Sequence, residues 1–276
     1  RPIADFDAYV RELTNFVYHS GTIMRPVFAT ARDSGRRVLY AEGEDERVLR
    51  AARVVIDERL ARPILIGRPS VIEMRIRKAG LDLQAERDYE VVNPDSDPRY
   101  RDIWSEYYRI MSRRGVTPAI AQAEMRRNTT LIGAMLLRRN EADALIAGPS
   151  GLYAQQLKPI ADVIGLSPHA RLFASLTVLL LPRRTLFITD AYVNDNPDAE
   201  DIAAMTVLAA AEVRRFGLTP RVALLSHSSY GSSPGPLATR MARAREILAE
   251  LAPALEAEGE MKADQSLVDV FRLLVS

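Results

Sequence analysis

The 276-residue sequence contains no cysteine and only three histidines. Without cysteine the chain can form neither a disulfide nor a thiolate metal site, and it has no cysteine nucleophile. Three scattered histidines argue against a zinc site, so we predict that this chain holds no metal. The lack of disulfides is compatible with a reducing compartment, and we predict a cytoplasmic location.

Positive and negative charges nearly balance, because the sequence has 37 Lys and Arg residues and 36 Asp and Glu residues. This balance argues against a broad nucleic-acid interface, which needs surplus positive charge. No apolar run approaches the ~20 residues of a membrane-spanning helix; the longest, around 176–181, has the length of a strand. We therefore predict neither a nucleic-acid partner nor a membrane partner.

Short apolar segments alternate with amphipathic helical segments along the sequence, and glycine follows several of the apolar segments. This alternation predicts an α/β fold with mostly parallel sheets and helices on both faces. The predicted strands are 37–41, 63–66, 91–92, 142–147, 172–176, 178–181, 186–189 and 222–225. The predicted helices are 4–17, 24–31, 48–56, 71–79, 100–113, 117–126, 129–139, 152–164, 201–216 and 236–251.

A change in composition near Gly148 predicts two lobes, 25–147 and 148–276, preceded by a helical linker over 1–24. The first residue is Arg rather than Met, which indicates a fragment of a longer polypeptide. Ligands of parallel α/β sheets bind at the carboxyl ends of strands, so the strand-end loops 42–45, 148–151 and 226–233 are candidate binding loops. The default site is a cleft between the lobes.

The loop that follows the strand 222–225 is rich in hydroxyl groups. Its sequence is Ser-His-Ser-Ser-Tyr-Gly-Ser-Ser over 226–233, and hydroxyls with bare backbone N–H groups can hold a phosphate or a carbonyl oxygen. The alternative is a polar surface loop. His227 could act as a general base toward Ser226 or Ser228, but no Asp partner is evident, which favours a structural role.

Other motifs indicate which classes of ligand the chain could bind. The turn Gly148-Pro149-Ser150-Gly151 lacks the Gly-Lys-Ser/Thr ending of a P-loop, and no Gly-x-Gly-x-x-Gly follows a strand, so neither nucleoside triphosphate nor NAD(P) binding is indicated. The segment 190–196 could hold a cation, but a capped loop before a helix is favoured. Paired basic residues, such as Arg113-Arg114, either contact ligand phosphates or cap helix ends.

Several segments resemble the phosphate acetyl/butyryltransferase family, over about residues 20–265. They are Tyr-Ala-Glu-Gly-Glu-Asp-Glu-Arg-Val over 40–48, Pro-Ile-Leu-Ile-Gly over 63–67, Asn-Thr-Thr-Leu-Ile-Gly-Ala-Met-Leu over 128–136, Ala-Asp-Ala-Leu-Ile-Ala-Gly over 142–148, and Ala-Leu-Leu-Ser-His-Ser over 223–228. The N-terminal segment further resembles the linker that precedes the phosphotransacetylase-like domain of bacterial hybrid malic enzymes.

The resemblance implies a two-lobed fold like that of isocitrate and isopropylmalate dehydrogenases, with homodimers formed through this domain. It implies acetyl-CoA as the ligand and effector, with no cofactor held by the domain itself. NADP and Mg or Mn are implied only for the absent malic-enzyme part. The implied acetyl-CoA ligands are Lys158, Ser150, Tyr153, Ser226, Ser228, Ser229 and Arg113, of which Ser226 and Ser228 are the alternative catalytic residues.

The sequence departs from the transferase pattern at three places. Lys158 stands where transferases carry an Arg, Tyr230 stands where they carry a Lys, and their C-terminal Ser-Arg-Gly motif is not found, with no clear match after residue 267. We therefore predict a regulatory, acetyl-CoA-binding and oligomerisation domain of an NADP-dependent malic enzyme, without transfer activity. An active phosphate acetyltransferase is the alternative, and a dimerisation module without a ligand is a third reading.

Overall fold

The computed structural model describes residues 24–181, 184–233, 235–266 and 273–275, together with the single positions 5, 9, 10 and 21. The predicted helical linker over 1–24 therefore lies almost entirely outside the described residues. The chain divides into two compact units. The first unit is Phe28–Gly165, and the second unit combines Leu166–Ser276 with Arg1–Val27.

The first unit is built on a four-stranded parallel sheet with the strand order β3-β2-β1-β4. Its strands are β1 (Arg37–Tyr40), β2 (Arg62–Ile66), β3 (Glu90–Val92) and β4 (Ala144–Ile146). Residues 24–34 form helix α1. The helices that follow are α2 (Glu46–Asp57), α3 (Pro69–Lys78), α4 (Tyr100–Met111), α5 (Pro118–Arg127), α6 (Thr129–Arg138) and α7 (Tyr153–Val163), with a 3-10 turn at Ser112–Arg114.

Helices bury both faces of this sheet, which is why its strands read as continuous apolar runs rather than alternating ones. On one face Leu39 and Ile64 pack in a cluster with side chains of α4, α5 and α6. On the other face Tyr40 and Leu65 pack with side chains of α2 and α3. Successive residues of β1 and β2 thus enter different cores, as the two-residue period of a strand requires.

The boundary between the units falls at Gly165 rather than at residue 148, where the sequence analysis placed it. The reason is that α7 packs on the first unit. Val163 of α7 belongs to the core cluster of that unit, and the Arg138 side chain of α6 donates to the Val163 carbonyl at 2.9 Å. The turn 148–151 and helix α7 therefore belong with the first sheet.

The second unit contains a five-stranded sheet with the order β5-β6-β9-β7-β8. Its strands are β5 (Thr177–Leu180), β6 (Thr185–Thr189), β7 (Arg221–Leu225), β8 (Glu256–Met261) and β9 (Leu273–Val275). The strand β5 runs antiparallel to β6, and the other neighbours are parallel. The helices are α8 (Ala199–Arg215), α9 (Pro236–Leu251) and the short α10 (Ala263–Ser266). Phe187 and Val222 pack against α8 and α9 to form the core.

The predicted α/β class with mostly parallel sheets is confirmed, and all predicted strands except 172–176 correspond to β1–β7. The strand prediction for 172–176 is wrong because Ser175 is held by Asp190 instead of by a neighbouring strand. The backbone N–H and the hydroxyl of Ser175 both donate to the Asp190 carboxylate, the N–H at 3.0 Å. Strands β8 and β9 were not predicted. Among the described residues, no helix is long and apolar enough to cross a bilayer.

Asp190 also organises the loop that precedes α8. Its carboxylate accepts from the Asn194 backbone N–H at 2.8 Å and from the Asn194 side-chain amide at 2.6 Å. Burial by itself raises the pKa of Asp190, but these hydrogen bonds together with those from Ser175 outweigh it and lower the pKa below its usual value. The segment 190–196 is thus a capped loop, the interpretation that the sequence favoured.

Candidate functional site

The loops that follow β1 and β4 leave the first sheet side by side. The chain passes from β1 to β2 on one side of the sheet and from β3 to β4 on the other, so the neighbours β1 and β4 flank a topological switch point, where such sheets bind ligands. The backbone continues the pairing past the strands, since the Ala41 N–H donates to the Ile146 carbonyl at 3.0 Å. Both oxygens of the Glu42 carboxylate accept from the Gly148 N–H, at 3.1 and 3.4 Å.

The loop after β1 also packs tightly on the end of β2. A Cβ atom on Gly43 would lie 2.8 Å from the Ile66 backbone, and one on Gly67 would lie 2.7 Å from the Glu44 side chain. Glu44 accepts two hydrogen bonds of 2.9 Å from the Arg68 guanidinium, which lowers the pKa of this carboxyl. A cavity of about 380 Å³ opens beside these loops, lined by Ala41, Glu42, Glu44, Asp45, Ile66, Gly67, Arg68, Pro94, Asp95, Arg126 and Thr129.

The turn 148–151 and the helix after it each expose one of the predicted ligands to solvent. Ser150 is exposed, and Tyr153, the first residue of α7, is 48% exposed. Leu152 precedes the helix and offers no polar side chain to cap it. The Leu152 N–H donates to the Gln155 side-chain oxygen at 3.5 Å, and the Gln155 N–H donates to the Leu152 carbonyl at 3.0 Å.

Lys158, predicted to meet a ligand phosphate, lies on the same helix. Its ammonium group is paired with Asp162 one turn further along, at 2.6 Å, and its side chain is 73% exposed. Arg114 pairs with the same Asp162 at 3.2 Å. Arg113 lies in the 3-10 turn before α5 and is exposed. None of the hydrogen bonds and ion pairs found among the described residues joins Arg113 to the turn 148–151.

The serine loop 226–233 follows β7 in the second unit and is held largely by its own hydroxyls. The Ser226 hydroxyl accepts from the Ser228 N–H at 3.2 Å. The Ser228 side chain is fully buried and accepts from the Ser233 N–H at 3.1 Å. The Ser229 hydroxyl accepts from the Lys262 N–H at 3.2 Å. These three predicted ligands therefore also fix the shape of the loop.

Glu260 of β8 holds the serine loop through hydrogen bonds. It is 4% exposed, and its carboxylate accepts from the Gly231 N–H at 2.9 Å and from the Ser228 hydroxyl. Burial by itself raises the pKa of Glu260, but these hydrogen bonds outweigh it and lower the pKa below its usual value. This buried, ionised carboxylate therefore ties the serine loop to β8.

A groove of about 380 Å³ lies between the serine loop, helix α9 and the bulged part of β8. Small residues form much of its lining, and the larger side chains are those of Tyr230, Arg245, Glu246 and Glu260. Tyr230 is 61% exposed, and its hydroxyl donates to Glu258 at 2.9 Å. The lining residues are Tyr230, Gly231, Ala238, Thr239, Ala242, Arg245, Glu246, Gly259 and Glu260.

The predicted site residues thus fall into two groups that lie in different units. Ser150, Tyr153 and Lys158 lie on the turn and helix that follow β4, with Arg113 elsewhere in the same unit, and Ser226, Ser228 and Ser229 share the loop after β7. His227 is exposed, and no hydrogen bond or ion pair in the described part of the chain gives it an acidic partner.

Several residues that hold or border the candidate loops were not singled out in the sequence analysis. Glu42, Gln156 and Thr130 hold the turn 148–151, and Glu260 and Arg245 border the serine loop. The signal for Glu42 was a carboxylate beside a glycine at the end of an apolar segment, whereas Glu260 lies in the charged segment Glu-Ala-Glu-Gly-Glu-Met, which gave no such signal. Among the described residues, no group of three His, Asp or Glu side chains is arranged to hold a metal ion.

Comparison with known proteins identifies the fold and the family. A family model described as phosphate acetyl/butaryl transferase matches residues 22–273. The chain belongs to this family. The structure of a EutD phosphotransacetylase from Staphylococcus aureus superposes with a TM-score of 0.79 over 92% of this chain and 81% of that one, at 21% sequence identity. The phosphotransacetylase-type fold predicted from the sequence is therefore confirmed.

Two kinds of curated protein are similar to this family member. An NAD-dependent malic enzyme of Rhizobium meliloti is 50% identical and an NADP-dependent malic enzyme of Escherichia coli is 49% identical, each over 99% of this chain. The chain spans only 36% of the length of either enzyme. A phosphate acetyltransferase of Corynebacterium glutamicum is 30% identical over 86% of this chain, which covers 71% of that protein.

Proposed function

We propose that this chain is the acetyl-CoA-binding, regulatory and oligomerisation part of an NADP-dependent malic enzyme, and that it does not itself transfer acetyl groups. In this proposal the remainder of the enzyme decarboxylates malate oxidatively to pyruvate. In this proposal the nicotinamide cofactor and the divalent cation also belong to that remainder.

The observation that carries the proposal is the groove beside the serine loop. CoA combines phosphate groups with an adenine ring and a narrow pantetheine arm. Arg245 supplies a cation for a phosphate, Tyr230 supplies a ring for stacking, and the small side chains Ala238 and Ala242 leave room for the arm.

The hydrogen bonds of Ser226 and Ser228 favour a regulatory role over acetyl transfer. Ser228 is buried and bonded to Glu260, and the Ser226 hydroxyl accepts from the loop backbone, so both hydroxyls are engaged in holding the loop. Active phosphate acetyltransferase, which would interconvert acetyl-CoA plus phosphate with acetyl phosphate plus CoA, remains the second candidate. It is favoured by the 30% identity to the Corynebacterium enzyme.

The test is isothermal titration of this chain with acetyl-CoA, CoA and acetyl phosphate, together with an assay of acetyl-CoA formation in the same sample. We expect saturable binding of acetyl-CoA without turnover. Robust turnover would support the transferase instead. Absence of binding would leave the third reading, a dimerisation module, and light scattering would then report whether the chain is a dimer.

A charge-matched pair of variants locates the ligand. Arg245→Ala is expected to weaken acetyl-CoA about tenfold or more, since a charge-assisted hydrogen bond to phosphate is lost. Arg214→Ala removes an equal charge from the exposed end of α8 and should leave the affinity unchanged. In an intact malic enzyme that contains this chain, acetyl-CoA should lower the rate of malate oxidation, and Arg245→Ala should relieve that inhibition. A regulatory effect needs such differential binding to two states.

A further inference from the structure

A shallow groove of about 560 Å³, here named the α4/α5 groove, lies between helices α4 and α5 of the first unit. Helix α4 contributes two aromatic rings and a guanidinium. Helix α5 contributes residues at spacings of three and four, which share one helical face, and two of them are alanines that leave room above the helix. The lining residues are Tyr100, Arg101, Trp104, Ala119, Gln122, Ala123 and Arg126.

The aromatic side chains of the α4/α5 groove are only partly covered by the protein. Tyr100 and Trp104 both pack against the core cluster of the first unit and remain half-buried. Trp104 is the one tryptophan of the whole sequence. Tryptophan, tyrosine and arginine are the residue types most enriched among those that dominate the binding energy of protein interfaces, and all three lie in this groove.

Arg126 is held in the groove by uncharged groups. Its guanidinium carbon lies 4.2 Å from the centroid of the Tyr100 ring. Its Nε donates to the Tyr100 hydroxyl at 3.1 Å, and its Nη1 donates to the Asp95 carbonyl at 3.3 Å. These contacts use two of the five N–H groups of a guanidinium and leave three for a ligand. A side chain that is already fixed loses little entropy when it binds.

The positive charge of the α4/α5 groove is not neutralised by the described residues. Neither Arg101 nor Arg126 forms an ion pair with any of them, and no carboxylate is among the lining residues. By contrast, Arg99, which immediately precedes α4, is paired with both Asp97 and Glu141. Since the whole sequence has nearly as many acidic as basic residues, a groove with two unpaired guanidinium groups favours a negatively charged occupant.

We propose that the α4/α5 groove binds an acidic segment of another protein chain. Carboxylates of that segment pair with Arg101 and Arg126, and one of its apolar side chains covers Trp104. A protein segment fits this groove better than a small molecule does, because small-molecule sites are concave and bury most of their ligand. The lining also has the composition of a protein interface, with Trp, Tyr and Arg but without Lys, Glu or Asp.

The fluorescence of Trp104 measures occupancy of the groove directly, because no other tryptophan contributes to the signal. The probe is a synthetic peptide of alternating Glu and Leu residues, titrated into the full chain at low salt. We expect a saturable blue shift of the emission as the indole is covered, and weaker binding as salt is added. A peptide of alternating Lys and Leu residues, equal in length, should give no shift.

Arginine variants test the contact with the acidic peptide. Arg126→Ala should weaken it about tenfold, as expected when charge-assisted hydrogen bonds are lost, and Arg126→Lys should not restore the full affinity because it lacks the planar fork. Arg101→Ala should also weaken it, and this variant leaves the contacts of Tyr100 intact. Arg127→Ala is the matched control, since Arg127 is exposed, adjacent and outside the lining. It should change the affinity less than about twofold.

Four outcomes would overturn the proposal. The first is no saturable shift with the acidic peptide, and the second is an equal shift with the Lys and Leu peptide, which would mean unselective apolar contact. The third is equal affinity of the parent, Arg101→Ala and Arg126→Ala, which would place the peptide elsewhere. The fourth is a different occupant: tighter binding of adenosine monophosphate would assign the groove to a small anion, and a shift on concentrating the protein alone, with a doubled mass by light scattering, would assign it to a second copy of this chain.

Discussion

The Glu260 carboxylate accepts a hydrogen bond from the Gly231 backbone at 2.9 Å and thereby ties strand β8 to the loop after β7. A second hydrogen bond reaches the same carboxylate from Ser228. The Glu260 backbone carbonyl accepts from the Tyr230 N–H at 2.9 Å. One residue of β8 thus engages three residues of the serine loop, and this loop forms one wall of the groove to which we assign the ligand.

Removal of this carboxylate should be costly. Glu260→Ala leaves the buried Ser228 hydroxyl without its acceptor and opens a small void, so we expect a loss of about 2–4 kcal/mol in the free energy of unfolding. Urea unfolding followed by circular dichroism measures it. Glu250→Ala on the exposed side of α9 is the control and should stay within about 0.5 kcal/mol. A similar value for both variants would mean that Glu260 does not anchor the loop.

Stability should fall in acid, and Asp190 should contribute to the fall. The folded-state pKa of Asp190 lies below its ordinary value of 3.8. Its contribution is therefore fully present above about pH 4 and is lost as the pH falls through the lowered pKa, because the unfolded state binds the proton first. Asp190→Asn should make the stability less dependent on pH between about 4 and 2, as measured by urea unfolding at several pH values. Asp82→Asn, at a carboxyl that is 77% exposed, should leave the profile close to that of the parent. An equally steep profile for Asp190→Asn would contradict the assignment.

Gly43 should not tolerate even a methyl group. A Cβ atom there would lie 2.8 Å from the Ile66 backbone N and O and 2.9 Å from Leu65 Cβ, and a strand backbone cannot yield cheaply. We expect Gly43→Ala to lower the free energy of unfolding by about 2–3 kcal/mol. The comparison is Gly21→Ala, where no atom of the described residues lies within 4 Å of the added carbon, and where alanine should be neutral or slightly stabilising. Equal stabilities of the two variants would refute the close approach of the loop to β2.

Variants of Tyr230 can separate the contribution of its aromatic ring to binding from the effect of its backbone conformation on stability. Its φ is +50°, in the left-handed region that asparagine adopts more readily than tyrosine. Tyr230→Asn should therefore keep the stability within about 1 kcal/mol while weakening acetyl-CoA about three- to tenfold, through loss of aromatic contact. Tyr230→Phe keeps the ring, removes only the hydroxyl that bonds Glu258, and should bind nearly as the parent does. Titration calorimetry distinguishes them; equal affinity of all three proteins would remove Tyr230 from the site.

Much of the fold was predictable because the apolar pattern of each segment agrees with its burial in the folded protein. The segments that became β1, β2 and β7 each begin with an arginine and are otherwise apolar, because the residues after the arginine are largely buried. Strand β8 was missed because it reads Glu-Ala-Glu-Gly-Glu-Met, which has no apolar alternation; it lies at the edge of its sheet and exposes part of its length. Strand β9 was missed because its partners β6 and β7 lie far away in the sequence.

The candidate loops were predictable for the same reason, since each follows an apolar strand. Their internal contacts were not. The pairing of Lys158 with Asp162 could have been read from their spacing of four on a helix. By contrast, the contact of Glu42 with Gly148 depends on the neighbouring positions of β1 and β4, and that of Glu260 with Gly231 depends on β7 and β8. Strand order is the information that a single sequence does not display.

The position of β9 has a consequence for the order in which the protein matures during synthesis. All strands of the first sheet and the helices around it are encoded without interruption, so that unit can fold as soon as residue 165 has left the ribosome. The second sheet cannot close at that stage. Residues 273–275 pair with β6 on one side and β7 on the other, so its centre stays open until they emerge. A ribosome stalled before residue 273 would hold a finished first unit beside two strands with unpaired edges, the kind of surface that chaperones bind.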